Sequence, residues 1–411
     1  MTLRSLIGTF FGLALAVAVG APGLARQSGS SSGWITAWAT SQQALGTTTM
    51  TNATVRLIAR VTIGGDAVRI RLDNTYGASP LGIGSAYVGQ RVQGAALAKG
   101  SNQRALFGGS ATATIPVGGS LVSDGIPMKV LAGQDLAVSL YVPDGDVRPS
   151  QHTGALVTSY YSQNGSGDVT AEETRTPFTG TTTAMWWLKA VDVRTSGEGA
   201  IVAFGDSITD GSCSTVDASN RWEDWLAVRV DMEARRRGGV RKAVINEGIG
   251  GNTITREGLQ PPPDSTPGIE RLDRDVLSHH GVTDVILFMG TNDIRRGASP
   301  AQVMSGMENI VKRVKARSMR IHGATIIPRH NAAPSATNTG WTSAKTAIRN
   351  EVNRWIRTKA PFDGVIDFDR AVRDPASPDL IHAPFNCDDI HPSARGYYEM
   401  GFAVPLDLFR R

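Results

Sequence analysis

A serine on a glycine turn and a histidine with a carboxylate three residues before it are the side chains here best suited to chemistry. The serine is Ser207, in Gly205-Asp206-Ser207-Ile208-Thr209, directly after an apolar run. The histidine is His391, in Asp388-Asp389-Ile390-His391-Pro392. A serine hydroxyl is a weak nucleophile until a base takes its proton. Histidine suits that role near neutral pH, and a carboxylate on its other ring nitrogen fixes the tautomer. Asp388 is better spaced for this than its rival Asp389. Two segments lie between. Gly248-Ile249-Gly250-Gly251-Asn252-Thr253 offers a backbone N–H at Gly251, where no Cβ obstructs a reacting carbonyl. Gly290-Thr291-Asn292-Asp293 offers the side-chain amide of Asn292. With the N–H of Ser207, these are the donors that a developing oxyanion requires. The chemistry is acyl transfer through a covalent serine intermediate. Each part has a plain alternative: the triplet as a helix cap, the Asp-x-x-His as a structural pair, the glycine and asparagine as turn residues. Their joint appearance, each in a fitting local context, favours the chemical reading.

Such a constellation needs a sheet edge to stand on. Apolar strands are expected at 201–204, 243–246, 285–289, 324–327 and 365–368, alternating with helical patterns. After Ser299, a capping box with Gln302 and a proline at the first helical position start a helix. Val303, Met304, Met307, Ile310, Val311 and Val314 form its apolar stripe, so those methionines read as core. Ile348, Val352, Trp355 and Ile356 mark a second amphipathic helix. Alternating strands and helices imply a parallel sheet covered on both faces, with its site at the carboxyl ends of the strands. Ser207, Gly251 and Asn292 all fall on that edge, and His391 reaches it from a later loop.

The chain before residue 196 has a different period. Val55, Leu57, Ala59, Val61 and Ile63 alternate with polar residues, Gly64-Gly65-Asp66 punctuates, and Val68, Ile70 and Leu72 alternate again. That pattern predicts a hairpin. Short strand-like runs follow at 111–115, 125–130, 135–142 and 156–161. An all-β sandwich or jelly roll over 34–195 is expected, followed by an α/β domain over 196–411. Near the junction, Trp186 and Trp187 are candidates to stack on a substrate ring, although core packing is the stronger reading for one of them. His330, after Pro328 on a strand-end loop, is a candidate cleft residue. His152 reads as a surface or junction residue.

With 411 residues and 41% apolar content, the chain is long enough for two domains with buried cores. The formal charge is +5, but its densest basic run, Arg235 to Arg237 with Arg241 and Lys242, sits at a predicted helix end where cations favour the dipole. No basic stripe with interleaved aromatics suggests nucleic-acid binding. Arg4, an apolar run over 6–21 and small residues at 23–25 read as a secretory signal over 1–25, with an alternative cut after Ala21. Residues 26–33 then form a flexible linker. A secreted or periplasmic protein without stable membrane anchoring is expected. Cys213 and Cys387 are the two cysteines. Export permits a disulfide between them, and neighbouring loops are implied if Ser207 and His391 share a hydrogen bond. No zinc spacing occurs, and no metal or cofactor is called for.

The four segments resemble the four blocks of the SGNH (GDSL-type) hydrolase family. Matched by motif, Ser207 falls on the nucleophile, Gly251 and Asn292 on oxyanion donors, and Asp388 with His391 on the Asp-x-x-His pair. The resemblance implies a flavodoxin-like three-layer α/β/α domain and ester hydrolysis without a metal. The segments Trp34-Ile35-Thr36-Ala37-Trp38-Ala39-Thr40, 200–211 and 362–369 resemble secreted xylan-esterase-like members, which carry an N-terminal β-domain. Met289-Gly290-Thr291 stands where many such members have Glu-Gly-Ile. The resemblance implies an esterase for short acyl groups, acetyl above all, on a glycan. An aryl or short-chain lipid esterase fits the same residues, as does a glycan-binding protein with an idle hydrolase fold.

Overall fold

Five parallel strands carry the second half of the molecule, in the order Lys242–Gly248, Gly199–Gly205, Val282–Phe288, Arg320–Ala324, Gly364–Ile366. Along the central strand Gly199–Gly205, period-two alternation sorts side chains onto the two faces. Ala200, Val202 and Phe204 enter one core, Ile201 and Ala203 the other. The helices, in chain order, are α1 (Ser207–Asp210), α2 (Trp222–Arg237), α3 (Gly268–Leu272), α4 (Thr291–Arg295), α5 (Pro300–Lys315), α6 (Ser343–Thr358), α7 (Phe368–Val372) and α8 (Ala394–Ala403). Apolar residues of α5 and α6 fill the first core, those of α2, α7 and α8 the second. The computed structural model describes residues 33–196, 199–238, 241–329 and 340–410. The expected signal segment, the linker up to residue 32 and His330 lie outside them. No helix among the described residues is long and apolar enough to cross a membrane.

The α5 start is as the sequence dictates: Ser299 accepts from the Gln302 N–H, and Pro300 leads the helix. The stripe Val303, Met307, Ile310, Val311 and Val314 is buried, with Met304 half-buried beside it. Two strands sit earlier than expected. Arg320–Ala324 ends where the apolar run was predicted to begin. Ile326 and Ile327 are buried, but as irregular chain leading toward the site. Asn353 of α6 takes the place of a partner strand, accepting from the Ile326 N–H at 2.7 Å and donating to its carbonyl at 2.8 Å. Phe368 opens α7 and does not close a strand. The basic run is split too. Arg235, Arg236 and Arg237 pair with Asp231 and Glu233 at the exposed end of α2. Lys242 is buried and donates to Asp284 at 2.6 Å.

The first half is strand-rich, in two larger antiparallel sheets. The predicted hairpin does not form. Ala53–Arg60 pairs with Asp135–Val142 and Ser159–Tyr161, whereas Gly65–Asp73 pairs with Leu188–Arg194 and Ile126–Val130. The chain between them crosses from one sheet to the other, with Val61 N–H on Gln134 O at 3.0 Å and Thr62 N–H on Ala37 O at 2.9 Å. Of the arginines that alternate with these apolar residues, Arg56 and Arg71 are buried. Arg56 is fully buried, donating to Ser139 Oγ at 2.9 Å and Ala95 O at 2.6 Å beneath the Phe178 ring. A satisfied buried arginine has the same sequence pattern as an exposed one, so periodicity could not tell them apart.

Gly33 to Arg411 forms one compact unit. The apolar core of the strand-rich half continues into that of the parallel sheet. Thr62 Oγ1 accepts from the Val244 N–H of the edge strand Lys242–Gly248 at 3.0 Å, occupying an edge donor that would otherwise be open.

Candidate active site

The central strand ends at Gly205, and Ser207 opens the short helix α1. Asp206 caps that helix, accepting from the Ile208 N–H at 3.0 Å. On one side of the central strand, Lys242–Gly248 runs out so close to α1 that a side chain at Gly248 would strike the Asp210 backbone. The loop then passes Gly250, whose N–H donates to Asp210 Oδ2 at 2.9 Å. Gly251 follows at φ +71°, the left-handed region that glycine adopts without strain. Among the described residues its N–H has no protein acceptor. On the other side of the central strand, Val282–Phe288 leads to α4. There Asn292 is buried and donates one amide hydrogen to Asn252 O at 3.0 Å. That bond fixes the side chain and leaves its second N–H.

His391 comes from the loop before α8. Its Nε2 lies 2.8 Å from Ser207 Oγ, and its Nδ1 lies 2.8 Å from Asp388 Oδ2. Since the carboxylate accepts, Nδ1 carries the proton and Nε2 is free to take one from the serine. Asp388 Oδ1 also accepts the backbone N–H groups of Ile390 at 3.1 Å and His391 at 2.7 Å. Partial burial works against the Asp388 charge, but the His391 ring and these N–H groups outweigh it and hold its carboxyl below the ordinary range. The Asp388 side chain is 45% exposed, so the pair orients the ring more than it stabilises the fold. Asp389 turns away, bonded to Asn386 at 2.9 Å. Cys213 and Cys387 form a disulfide that joins the loop after α1 to the residue preceding Asp388.

Supporting residues were not legible as such. Arg271 of α3 is buried and donates to Gly205 O, Glu247 O, Asn252 Oδ1 and Ser41 Oγ at 2.8–3.0 Å. One guanidinium therefore ties the central strand, its neighbour, the Asn252 turn and the strand-rich half together. Asp293 accepts from the Ile254 N–H at 3.0 Å and fixes the same turn. Burial pushes the carboxyls of both Asp206 and Asp293 up to about 7. No short motif marks Arg271. Asp293 stands beside Asn292 in its segment, and only the fold shows what it holds.

Two candidate contacts are corrected. Trp186 and Trp187 are 1% and 0% exposed, so neither indole presents a face to a ligand. Adjacent strand residues should point to opposite faces, but Trp187 at φ +56° breaks the strand and turns both rings inward. His152 is buried, not at the surface. It joins the halves, with Nε2 3.0 Å from Asp210 Oδ1 and Nδ1 2.8 Å from Ser41 O.

The GDSL-like lipase/acylhydrolase family model matches residues 203–398. Among solved structures, a carbohydrate acetylesterase from Sinorhizobium meliloti is 18% identical at a TM-score of 0.39, covering 50% of this chain and 96% of its own. A member of the lipolytic G-D-S-L family from Veillonella parvula DSM 2008 is 19% identical at 0.37, covering 52% and 98%. A GDSL-like lipase from Bacteroides thetaiotaomicron VPI-5482 is 15% identical at 0.35, covering 51% and 87%. No curated protein matches the chain. Residues 203–398 thus carry a GDSL-like lipase/acylhydrolase family domain, which supports a carboxylic ester hydrolase.

Proposed function

We propose that the protein is an exported esterase that removes short acyl groups, acetyl first among them, from a carbohydrate. The observation that carries the mechanism is the continuous line from Ser207 Oγ through His391 to Asp388, both links at 2.8 Å. Ser207 Oγ attacks the ester carbonyl carbon as its proton passes to His391 Nε2. The carbonyl electron pair moves onto oxygen, facing the N–H groups of Ser207 and Gly251 and the free amide hydrogen of Asn292. The intermediate collapses, the ester C–O bond breaks, and His391 gives its proton to the leaving alcohol. Water, deprotonated by His391, then attacks the acyl-enzyme, and as the acyl C–Oγ bond breaks His391 returns the proton to Ser207 Oγ and the acid leaves. Asp388 keeps the imidazole in the working tautomer and stabilises its cation.

The short acyl group and the glycan rest on the likeness of residues 34–40, 200–211 and 362–369 to secreted xylan-esterase-like hydrolases. Export rests on the first 25 residues. One experiment tests mechanism and substrate together. A diethyl phosphoryl ester should label Ser207 alone and abolish turnover. Acetylated polysaccharide should be deacetylated, and p-nitrophenyl esters should lose kcat/KM as the acyl chain grows beyond acetyl. An unlabelled Ser207 would refute the mechanism. Preference for long acyl chains, or for aryl esters alone, would refute the substrate.

A further inference from the structure

We propose that His152 is a positioning residue for ester hydrolysis, acting from the strand-rich half through Asp210 on the Gly250-Gly251 turn. The inference rests on the mechanism above, in which Gly251 supplies an oxyanion donor. His152 ends the strand Ser150–His152, which pairs on both sides with short strands. Its ring faces two acceptors. Ser41 O is a carbonyl and can only accept, so Nδ1 carries a proton. Asp210 Oδ1, 3.0 Å from Nε2, belongs to a carboxylate and also accepts. The two contacts together call for the doubly protonated ring. Burial and the nearby Arg221 oppose that charge, but Asp210 and Ser41 hold the imidazole pKa above its ordinary value.

Asp210 divides its two oxygens between the halves. Oδ1 goes to His152, and Oδ2 takes the Gly250 N–H at 2.9 Å. It is also the last residue of α1, three after Ser207. Asp210 is the tie at Gly250 itself. Nothing lies within 4 Å of where a Gly251 side chain would stand. The segment is tied on either side of it, by the Ile249 N–H to Gly205 O at 3.3 Å, by the Asn252 N–H to Ile249 O at 3.1 Å, and by Arg271 and Asn292 on Asn252. Aim at an oxyanion is worth most when donors are fixed before reaction. A carboxylate clamped by His152 fixes Gly250, and with it the amide of the next residue.

The test is a mutant cycle on the full chain. Asparagine at 152 can still reach Ser41 but is too short for Asp210, whereas glutamine reaches Asp210. His152→Asn should lower kcat about 10- to 100-fold with KM changed less than about twofold, the scale of a small misplacement at a reacting centre. His152→Gln should recover most of the loss. Asp210→Ala should lose kcat by a similar factor, and adding His152→Asn to it should cost nothing further. Additive losses would show that His152 merely glues the halves together, and would overturn the proposal. So would native kcat in Asp210→Ala, which decides the matter even if His152→Asn does not fold. Labelling of Ser207 by the phosphoryl ester in the unaltered chain separates the two readings. Its failure would sink the mechanism itself, while labelling with an additive cycle sinks only this inference.

Discussion

The role proposed for Ser207 depends on its neighbours, since an isolated hydroxyl would not attack an ester. Its Oγ meets His391 Nε2 at 2.8 Å, at the edge of a buried strand. Ser207→Ala is therefore expected to lower kcat by several orders of magnitude, leaving at most about 10³-fold over water from oxyanion binding. Near-native turnover by a folded variant would exclude the serine. Asn292 has one amide hydrogen committed to Asn252 O, and the other is assigned to the oxyanion. Asn292→Ala should cost about 10²–10³ in kcat with little change in KM. A raised KM with intact kcat would instead mean substrate positioning. A third residue ties the site to pH. Burial, with a contribution from Asp206, raises the Asp293 carboxyl from 3.8 to about 7 despite its backbone N–H partners. Between these values the unfolded chain releases this proton and the folded chain keeps it. Asp293 thus contributes stability that is complete at low pH and fades as pH rises through about 7. Asp388, held below its ordinary range, works the other way and loses its contribution as pH falls. Asp293→Asn should flatten the decline in melting temperature between about pH 4 and 7. An unchanged slope in that variant would show that Asp293 is ionised throughout.

At the scale of elements, the disulfide links the two loops that must stay in register. Cys213 follows α1, Cys387 precedes Asp388, and the Cys387 N–H donates to His391 O at 3.0 Å. The bond spans 174 residues, for which the chain-entropy model allows about 4–5 kcal/mol, with real values often lower. Its nearer effect is on geometry, so reduction should depress kcat at temperatures where circular dichroism still reports a folded chain. Full turnover in the reduced, folded protein would make the bond purely structural. The elements that carry these loops could be read in advance where local signals were strong: the Ser299 capping box, the stripe of α5, and the apolar run that ends at Gly205. They were misread where tertiary partners imitate local ones. Asn353 stands in for a strand, and the Gly64-Gly65 turn joins two sheets where a hairpin was expected. The residues assigned to the reaction stand out because that chemistry needs rare types at fixed spacing. Arg271 and His152 could not, since their partners lie far away in sequence and only the fold brings them near.

At the scale of the molecule, the strand-rich half completes the floor of the α/β half. Ser41 Oγ donates to Glu247, whose other oxygen meets His279 Nε2 at 2.5 Å, and Arg71 donates to His279 Nδ1 and to Ser278 O. Lys189 lies 3.9 Å from Asp275, and Gln42 O accepts from Arg274 at 3.0 Å. Glu247, Asp275 and His279 are buried. Without the strand-rich half these groups lose their partners, and each hydrogen bond lost is worth about 0.5–1.5 kcal/mol net. Several such losses take a substantial part of the stability of a domain, about 5–15 kcal/mol. The apolar seam would open as well, baring Ala243 and Ile245 and freeing the edge donor at Val244. A fragment comprising residues 196–411 is thus expected to aggregate on expression. Any soluble fraction should hydrolyse p-nitrophenyl acetate about 10- to 100-fold more slowly than the full chain, since the His152 contact to Asp210 is gone. Sedimentation and kcat of the purified fragment check both statements. A monodisperse fragment with native kcat would mean that the strand-rich half is a passenger, and that the buried contacts between the halves contribute neither stability nor aim.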